Sequence, residues 1–230
     1  MRGFDAVIFD CDGVLVNSEE LAQAVEVAHL AAIGLRYDPP EYVRRFGGTT
    51  MADFRDLLRA DFLEQFGEQI PAQFFDEMAQ AVRASYEVGL LPLEGVIEFV
   101  ASVKLPKAVA SGSTVDLVKM KLSRVGLASQ FGAHIYTSEA TRSKPHPDVF
   151  LQAAAGVRAV PERVLVIEDS CNGIIGAKRA GMLAIGYIGG SHCPEGHEQA
   201  LYDAGADIVF RSYSAMGEYL LGGSNLLSTT

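Results

Sequence analysis

Four apolar residues, Ala6-Val7-Ile8-Phe9, run directly into Asp10-Cys11-Asp12-Gly13. A short, unbroken apolar run suits a strand covered on both faces of a parallel sheet. Two carboxylates at its carboxyl end would be costly to bury without a partner. Gly13 supplies the backbone freedom to turn away at once. In open α/β sheets, ligands bind in the crevice beyond the carboxyl ends of the strands. A carboxylate there can attack phosphorus or hold a hard cation. Taken alone, the Asp-x-Asp pair is equally compatible with an acidic surface turn, and the rest of the chain has to discriminate.

From Leu90 onward, helix and strand patterns alternate. Candidate strands are Lys107–Ala110, Ala133–Thr137, Val164–Ile167, Leu183–Tyr187 and Asp207–Phe210, with glycine stops at Gly126, Gly156, Gly181 and Gly205 between them. That rhythm specifies parallel βαβ units, hence an α/β fold with a doubly wound, Rossmann-like parallel sheet. Residues 17–88 carry no strand signal. Ser18 can cap a first helix whose apolar stripe is Leu21, Val25, Ala28 and Ala32 and which stops at Gly34. Asp38-Pro39-Pro40-Glu41 starts a second, with proline at the first helical position and Glu41 placed for a capping box. Thr50 caps a third that runs towards Gly67, and a fourth follows Pro71 and ends at Gly89. The expectation is an all-helical cap domain, residues 17–88, inserted into a core made of residues 1–16 and 89–230. The Gly-Gly-Ser-Asn stretch after Leu221 reads as a loose tail.

Charge and cysteine usage narrow the partners. A formal net charge of −10 over 230 residues argues against nucleic acid or an anionic membrane as the main partner. A small anionic substrate stays possible, because a bound cation can dominate the local field. No apolar run is long enough to span a bilayer, and the early first strand leads to the expectation of no signal peptide. Cys11, Cys171 and Cys193 form no disulfide framework, which fits a reducing, cytoplasmic location. His192-Cys193-Pro194-Glu195-Gly196-His197 lacks a second ligand pair for zinc and reads as a polar loop before a helix.

The other strand ends repeat the logic of the first. The second ends in Ser111-Gly112-Ser113, a hydroxyl and backbone N–H groups ahead of a helix, which makes an anion cradle. Ser113 with Asp116 equally forms an N-cap signature, so Ser111 is the stronger candidate for chemistry. After the third strand comes Ser143-Lys144-Pro145-His146-Pro147, whose two prolines stiffen the loop and the approach of Lys144, a cation able to neutralise a phosphoryl group. The fourth strand delivers Glu168 and Asp169, and Asp10 with Asp169 on one Mg²⁺ would relieve their mutual repulsion. Asn172-Gly173 and Gly176 allow a helix to start close by.

Taken in this order, Phe-Asp-Cys-Asp-Gly-Val-Leu-Val-Asn-Ser-Glu, then Ser, then Ser-Lys-Pro-His-Pro-Asp, then Ile-Glu-Asp-Ser-x-Asn-Gly, the chain resembles the haloacid dehalogenase-like hydrolases. It is most similar to the branch with a helical cap after the first motif, which holds β-phosphoglucomutases and sugar-phosphate phosphatases of the 6-phosphogluconate type. The resemblance implies Asp10 as nucleophile, forming an aspartyl-phosphate, and Asp12 as general acid and base. It implies Mg²⁺ on Asp10, the Asp12 carbonyl and Asp169, with Glu168 nearby. Ser111 and Lys144 would bind the phosphoryl oxygens, with Gly112 and Ser113 beside them. In the cap loop, Gly48 and Thr49 would meet a small phosphorylated metabolite. Asp12 argues against the dehalogenases, which lack it. The mutases carry a His four residues after the Ser or Thr that follows the first motif; here Ser18 is followed by Ala22. They also flank a cap-loop glycine with Lys and Arg, whereas Gly47 and Met51 flank Gly48 here. The implied function is a Mg²⁺-dependent sugar-phosphate phosphatase, with a mutase as runner-up. A non-enzymatic phospho-aspartate switch is the alternative of a different class.

Overall fold

A computed structural model describes residues 3–222; the expected loose tail, beyond Gly222, lies outside the described residues. The chain forms two compact units, one from residues up to Asn17 together with those from Leu91 on, the other Ser18–Leu90. In order, β1 (Ala6–Phe9) is followed by α1 (Ser18–Ala32), α2 (Pro39–Phe46), α3 (Met51–Phe66) and α4 (Phe74–Gly89). Then come α5 (Val96–Ser102), β2 (Lys107–Ser111), α6 (Val115–Arg124), α7 (Ala128–Phe131), β3 (Ile135–Thr137) and α8 (Asp148–Gly156). The last run is β4 (Val164–Glu168), α9 (Cys171–Arg179), β5 (Leu183–Tyr187), α10 (His197–Asp203), β6 (Ile208–Phe210) and α11 (Tyr213–Leu221).

The six strands form one sheet in the order β3-β2-β1-β4-β5-β6, all neighbours parallel. This is the doubly wound α/β sheet that the alternating pattern implies. Its side chains alternate between faces as a pleated strand requires. Ala6 and Ile8 join Ala108, Ala110, Val164, Val166 and Ala184 against Val149 and Phe150 of α8 and Ile174 of α9. Phe9 points to the other face, where it meets Phe99 and Phe131 edge-on at 6.3 and 5.7 Å between ring centres. Tyr213 of α11 is buried on Tyr187, ring centres 4.5 Å apart, and donates to the carbonyl of Val14 at 2.8 Å, bracing the turn after β1.

The helical unit closes on an aromatic-rich core of Leu30, Tyr42, Phe46, Phe54, Leu58, Phe62, Phe74 and Met78. Its helix starts follow local chemistry. Asp38 accepts from Glu41 N at 2.7 Å with Pro39 at the first helical position, and Thr50 accepts from Asp53 N at 3.1 Å. Gly67 ends α3 in the left-handed conformation, φ 69°.

Candidate active site

Strand order creates the site. β1 lies between β2 and β4, so the chain leaves β1 in opposite directions for the two halves of the sheet, and a crevice opens at their carboxyl ends. Asp10 follows β1, Ser111 ends β2 and Glu168 ends β4. The registers Phe9↔Val109 and Phe9↔Ile167 bring these ends level. One carboxylate oxygen from each of Asp10, Glu168 and Asp169 lies within 4.8 Å of the others, and all three residues are buried.

Lys144 reaches this cluster from the loop after β3. Its ammonium donates to Asp10 Oδ1 at 2.7 Å, to Glu168 Oε1 at 2.5 Å and to the carbonyl of Ala110 at 3.0 Å. All three ammonium protons are thus directed at groups on β2, β4 and the turn after β1. Glu168 uses its other oxygen to accept from Ser170 N at 3.0 Å and Ser170 Oγ at 2.9 Å. Burial works to lower the Lys144 pKa, but Asp10 and Glu168 outweigh it and raise it, so the ammonium stays charged. Asp10 shows the opposite balance. Burial pushes its carboxyl well up; Lys144 opposes this, while Glu168, Asp169 and Asp12 add to it. The cluster therefore holds more negative charge than one lysine satisfies.

Two glycines make this crowding possible. A Cβ on Gly13, already at φ +69°, would lie 1.9 Å from Asp169 Oδ2, and one on Gly173 would lie 1.9 Å from the Glu168 carboxyl. Cys11 beside them is buried, and burial raises its thiol pKa well above the usual value, a neutral neighbour as its acidic surroundings suggest.

The Ser111-Gly112-Ser113 turn differs from its N-cap reading. Thr114, not Ser113, caps α6, accepting from Leu117 N at 3.4 Å. Ser113 instead donates its hydroxyl to Asp12 Oδ2 at 2.9 Å, and its N–H to Ser111 Oγ at 3.0 Å. A hydroxyl that faces a carboxylate is not available for the cap. Three further groups were given no role at the site from sequence. Lys121 of α6 is 1% exposed and ion-paired to Asp12 Oδ1. His192 Nε2 lies 2.8 Å from Asp169 Oδ2, and His197 Nε2 lies 2.6 Å from the Asp169 carbonyl. The loop read only as polar therefore grips Asp169 by side chain and main chain. Burial would lower the His192 pKa, but its bonds to Asp169 and Cys193 prevail and raise it to about 11.

Gly48 and Thr49 belong to the helical unit, while the cluster above is formed by the α/β unit. Gly48 turns the chain at φ +72°, and Thr49 donates to the carbonyl of Phe46 at 2.7 Å. Arg45, nearby, donates through Nε to Asp61 at 2.8 Å, the same carboxylate that Tyr37 reaches at 2.7 Å, so it serves the packing of its own unit.

The family model of the haloacid dehalogenase-like hydrolases matches residues 4–181. The fold is similar to that of a conserved haloacid dehalogenase-like protein from Agrobacterium tumefaciens, at 34% identity and a TM-score of 0.86, covering 97% of this chain and 100% of the other. A family hydrolase from Deinococcus radiodurans, solved with bound phosphate and sodium, is 32% identical with a TM-score of 0.81, covering 96% and 97%. By sequence, the chain is similar to a phosphorylated carbohydrates phosphatase of Thermotoga maritima, 28% identical over 77% of this chain and 82% of the relative.

Proposed function

The chain belongs to the haloacid dehalogenase-like hydrolases, and from that premise we propose that it is a Mg²⁺-dependent phosphatase of a small phosphorylated sugar, working through an aspartyl-phosphate. The observation that carries this reading is the meeting of Asp10, Lys144, Glu168 and Asp169 at one buried point. A carbohydrate-phosphate phosphatase among its relatives, and a phosphate bound in a structural neighbour, favour a phosphorylated sugar as the substrate class.

The acidic cluster suits a hard divalent cation. Its donors are all carboxylate oxygens, which Mg²⁺ prefers, and burial together with the neighbouring acids raises the Asp10 pKa, a strain that a cation relieves. Asp10, Asp169 and the backbone carbonyl of Asp12 would hold it, with Glu168 alongside as the anchor of Lys144. When bound, the cation supplies positive charge to the phosphoryl oxygens.

The protein's own residues divide the remaining work. Asp10 attacks phosphorus, and the sugar oxygen departs with a proton from Asp12. Asp12 then takes a proton from the water that cleaves the aspartyl-phosphate, a role typically worth about 10²–10⁴ in rate. Lys144 and Ser111 face the transferring oxygens, and the Gly112 turn carries the backbone past them. Such transfers leave little covalent work to a protein, so positioning and charge neutralisation dominate.

A panel of phosphomonoesters tests the assignment: pentose and hexose phosphates, 6-phosphogluconate, phosphoglycolate and nucleoside monophosphates, each with Mg²⁺ or chelator. Continuous phosphate release is expected, with the highest kcat/KM among sugar phosphates. One equivalent of phosphate transferred and then retained would indicate a switch and overturn the phosphatase reading.

A further inference from the structure

Lys121 sits in the middle of α6 on its buried face. Val118, Leu122 and Val125 fill the rest of that face, and a methionine or leucine would pack there at no electrostatic cost. A buried ammonium is expensive unless it is paired. Lys121 finds its partner on a different chain segment, in Asp12 Oδ1. Ser113 donates to the other oxygen of the same carboxylate at 2.9 Å, and Lys121 Nζ lies 3.5 Å from that hydroxyl. Both oxygens of Asp12 are thereby held, by two donors that also touch each other, and rotation of the carboxylate would break both bonds. The two acids of the Asp-x-Asp pair are also kept apart in function: Lys144 bonds Asp10, Lys121 bonds Asp12.

We propose that Lys121, with Ser113, is a positioning residue that fixes the Asp12 carboxylate in the orientation from which it delivers a proton to the leaving oxygen. The inference rests on the phosphatase reading above and adds to it the source of Asp12's geometry. Its signature is selective. An alkoxide leaves poorly without a proton, whereas p-nitrophenolate leaves without one. Loss of orientation at Asp12 must therefore penalise alkyl phosphates and spare the aryl ester in kcat/KM, which ends at phosphoryl transfer to Asp10; kcat, which includes the later role of Asp12 as base, falls for both.

The test compares kcat/KM for a hexose phosphate and for p-nitrophenyl phosphate, both with saturating Mg²⁺. Lys121→Met keeps the unbranched apolar stem. It is expected to lose about 10²-fold on the sugar ester and less than about threefold on the aryl ester. Ser113→Ala, which leaves the α6 core untouched, should lose about tenfold on the sugar ester alone, keeping the proposal testable if Lys121→Met does not fold. Asp12→Asn should show the same selectivity, and adding Lys121→Met to it should change nothing further.

Equal losses on both esters would overturn the proposal, as would selectivity that Lys121→Met still adds to Asp12→Asn. Should Asp12→Asn treat both esters alike, the role of Asp12 falls and the inference with it. Failure of the phosphatase reading looks different: Asp10→Asn would then retain activity on either ester.

Discussion

Asp10→Asn should remove turnover while leaving the protein at least as stable as before. The loss expected is about 10⁴-fold or more in kcat, since the amide cannot form the covalent intermediate. The stability half of the expectation comes from the electrostatics. Burial and three neighbouring acids raise the Asp10 pKa despite Lys144. A carboxyl whose pKa is raised on folding favours the fold below its unfolded pKa, and that advantage is lost as pH rises. At neutral pH a neutral amide of the same shape escapes the penalty, and Lys144 keeps Glu168 as its partner at 2.5 Å. Steady-state phosphate release with Mg²⁺, and urea unfolding without added metal, separate the two effects. Near-normal turnover would remove Asp10 from the nucleophile's role. Unfolding of the variant would make it a structural acid. Activity given up for a gain in stability is the trade expected where function demands crowded charge.

Lys144→Met should do the reverse and damage the fold itself. The side chains of Lys144, Asp10 and Glu168 are 11%, 10% and 0% exposed, so the charges left behind cannot be hydrated. Removing one partner of a buried pair costs about 3–5 kcal/mol. Here the two orphaned carboxylates face each other as well. Urea unfolding in chelator should show a loss of that size, with phosphate release abolished. Adding Glu168→Gln should recover much of the stability and none of the activity. A variant as stable as the parent would mean the ammonium is not the counter-charge of this cluster.

Much of the α/β unit was legible because its signals are periodic. Apolar runs and glycine stops mark each strand and helix, and the order of strand ends predicts where polar residues gather. Lys144 could be read from its place after the third strand, just ahead of two prolines. Lys121 could not be read that way, though a signal exists. It falls on the stripe Val118, Leu122, Val125, while Lys119, two residues earlier, is exposed. A lysine on the apolar face of a helix is the mark of a buried ion pair, but it emerges only once the phase of α6 is known. His192 and His197 carry no such mark. Their loop has no period, and what brings them to Asp169 is the return of the chain from β5, a tertiary fact. The choice between Ser113 and Thr114 as cap turned on one competing bond, to Asp12, 101 residues away in sequence.

The insertion point has a consequence of its own. Asn17 N donates to the Leu91 carbonyl at 3.1 Å, and Leu91 N donates to Asn17 Oδ1 at 2.9 Å, while Val16 bridges Pro92 in antiparallel fashion. The chain thus exits and re-enters the sheet domain through adjacent, cross-linked backbone. The bonds described above for Asp10, Lys144 and Asp169 all come from outside that insertion, so its length and fold can change while those bonds stay. Descent with modification can therefore rewrite what such a protein selects while the reaction chemistry is inherited intact.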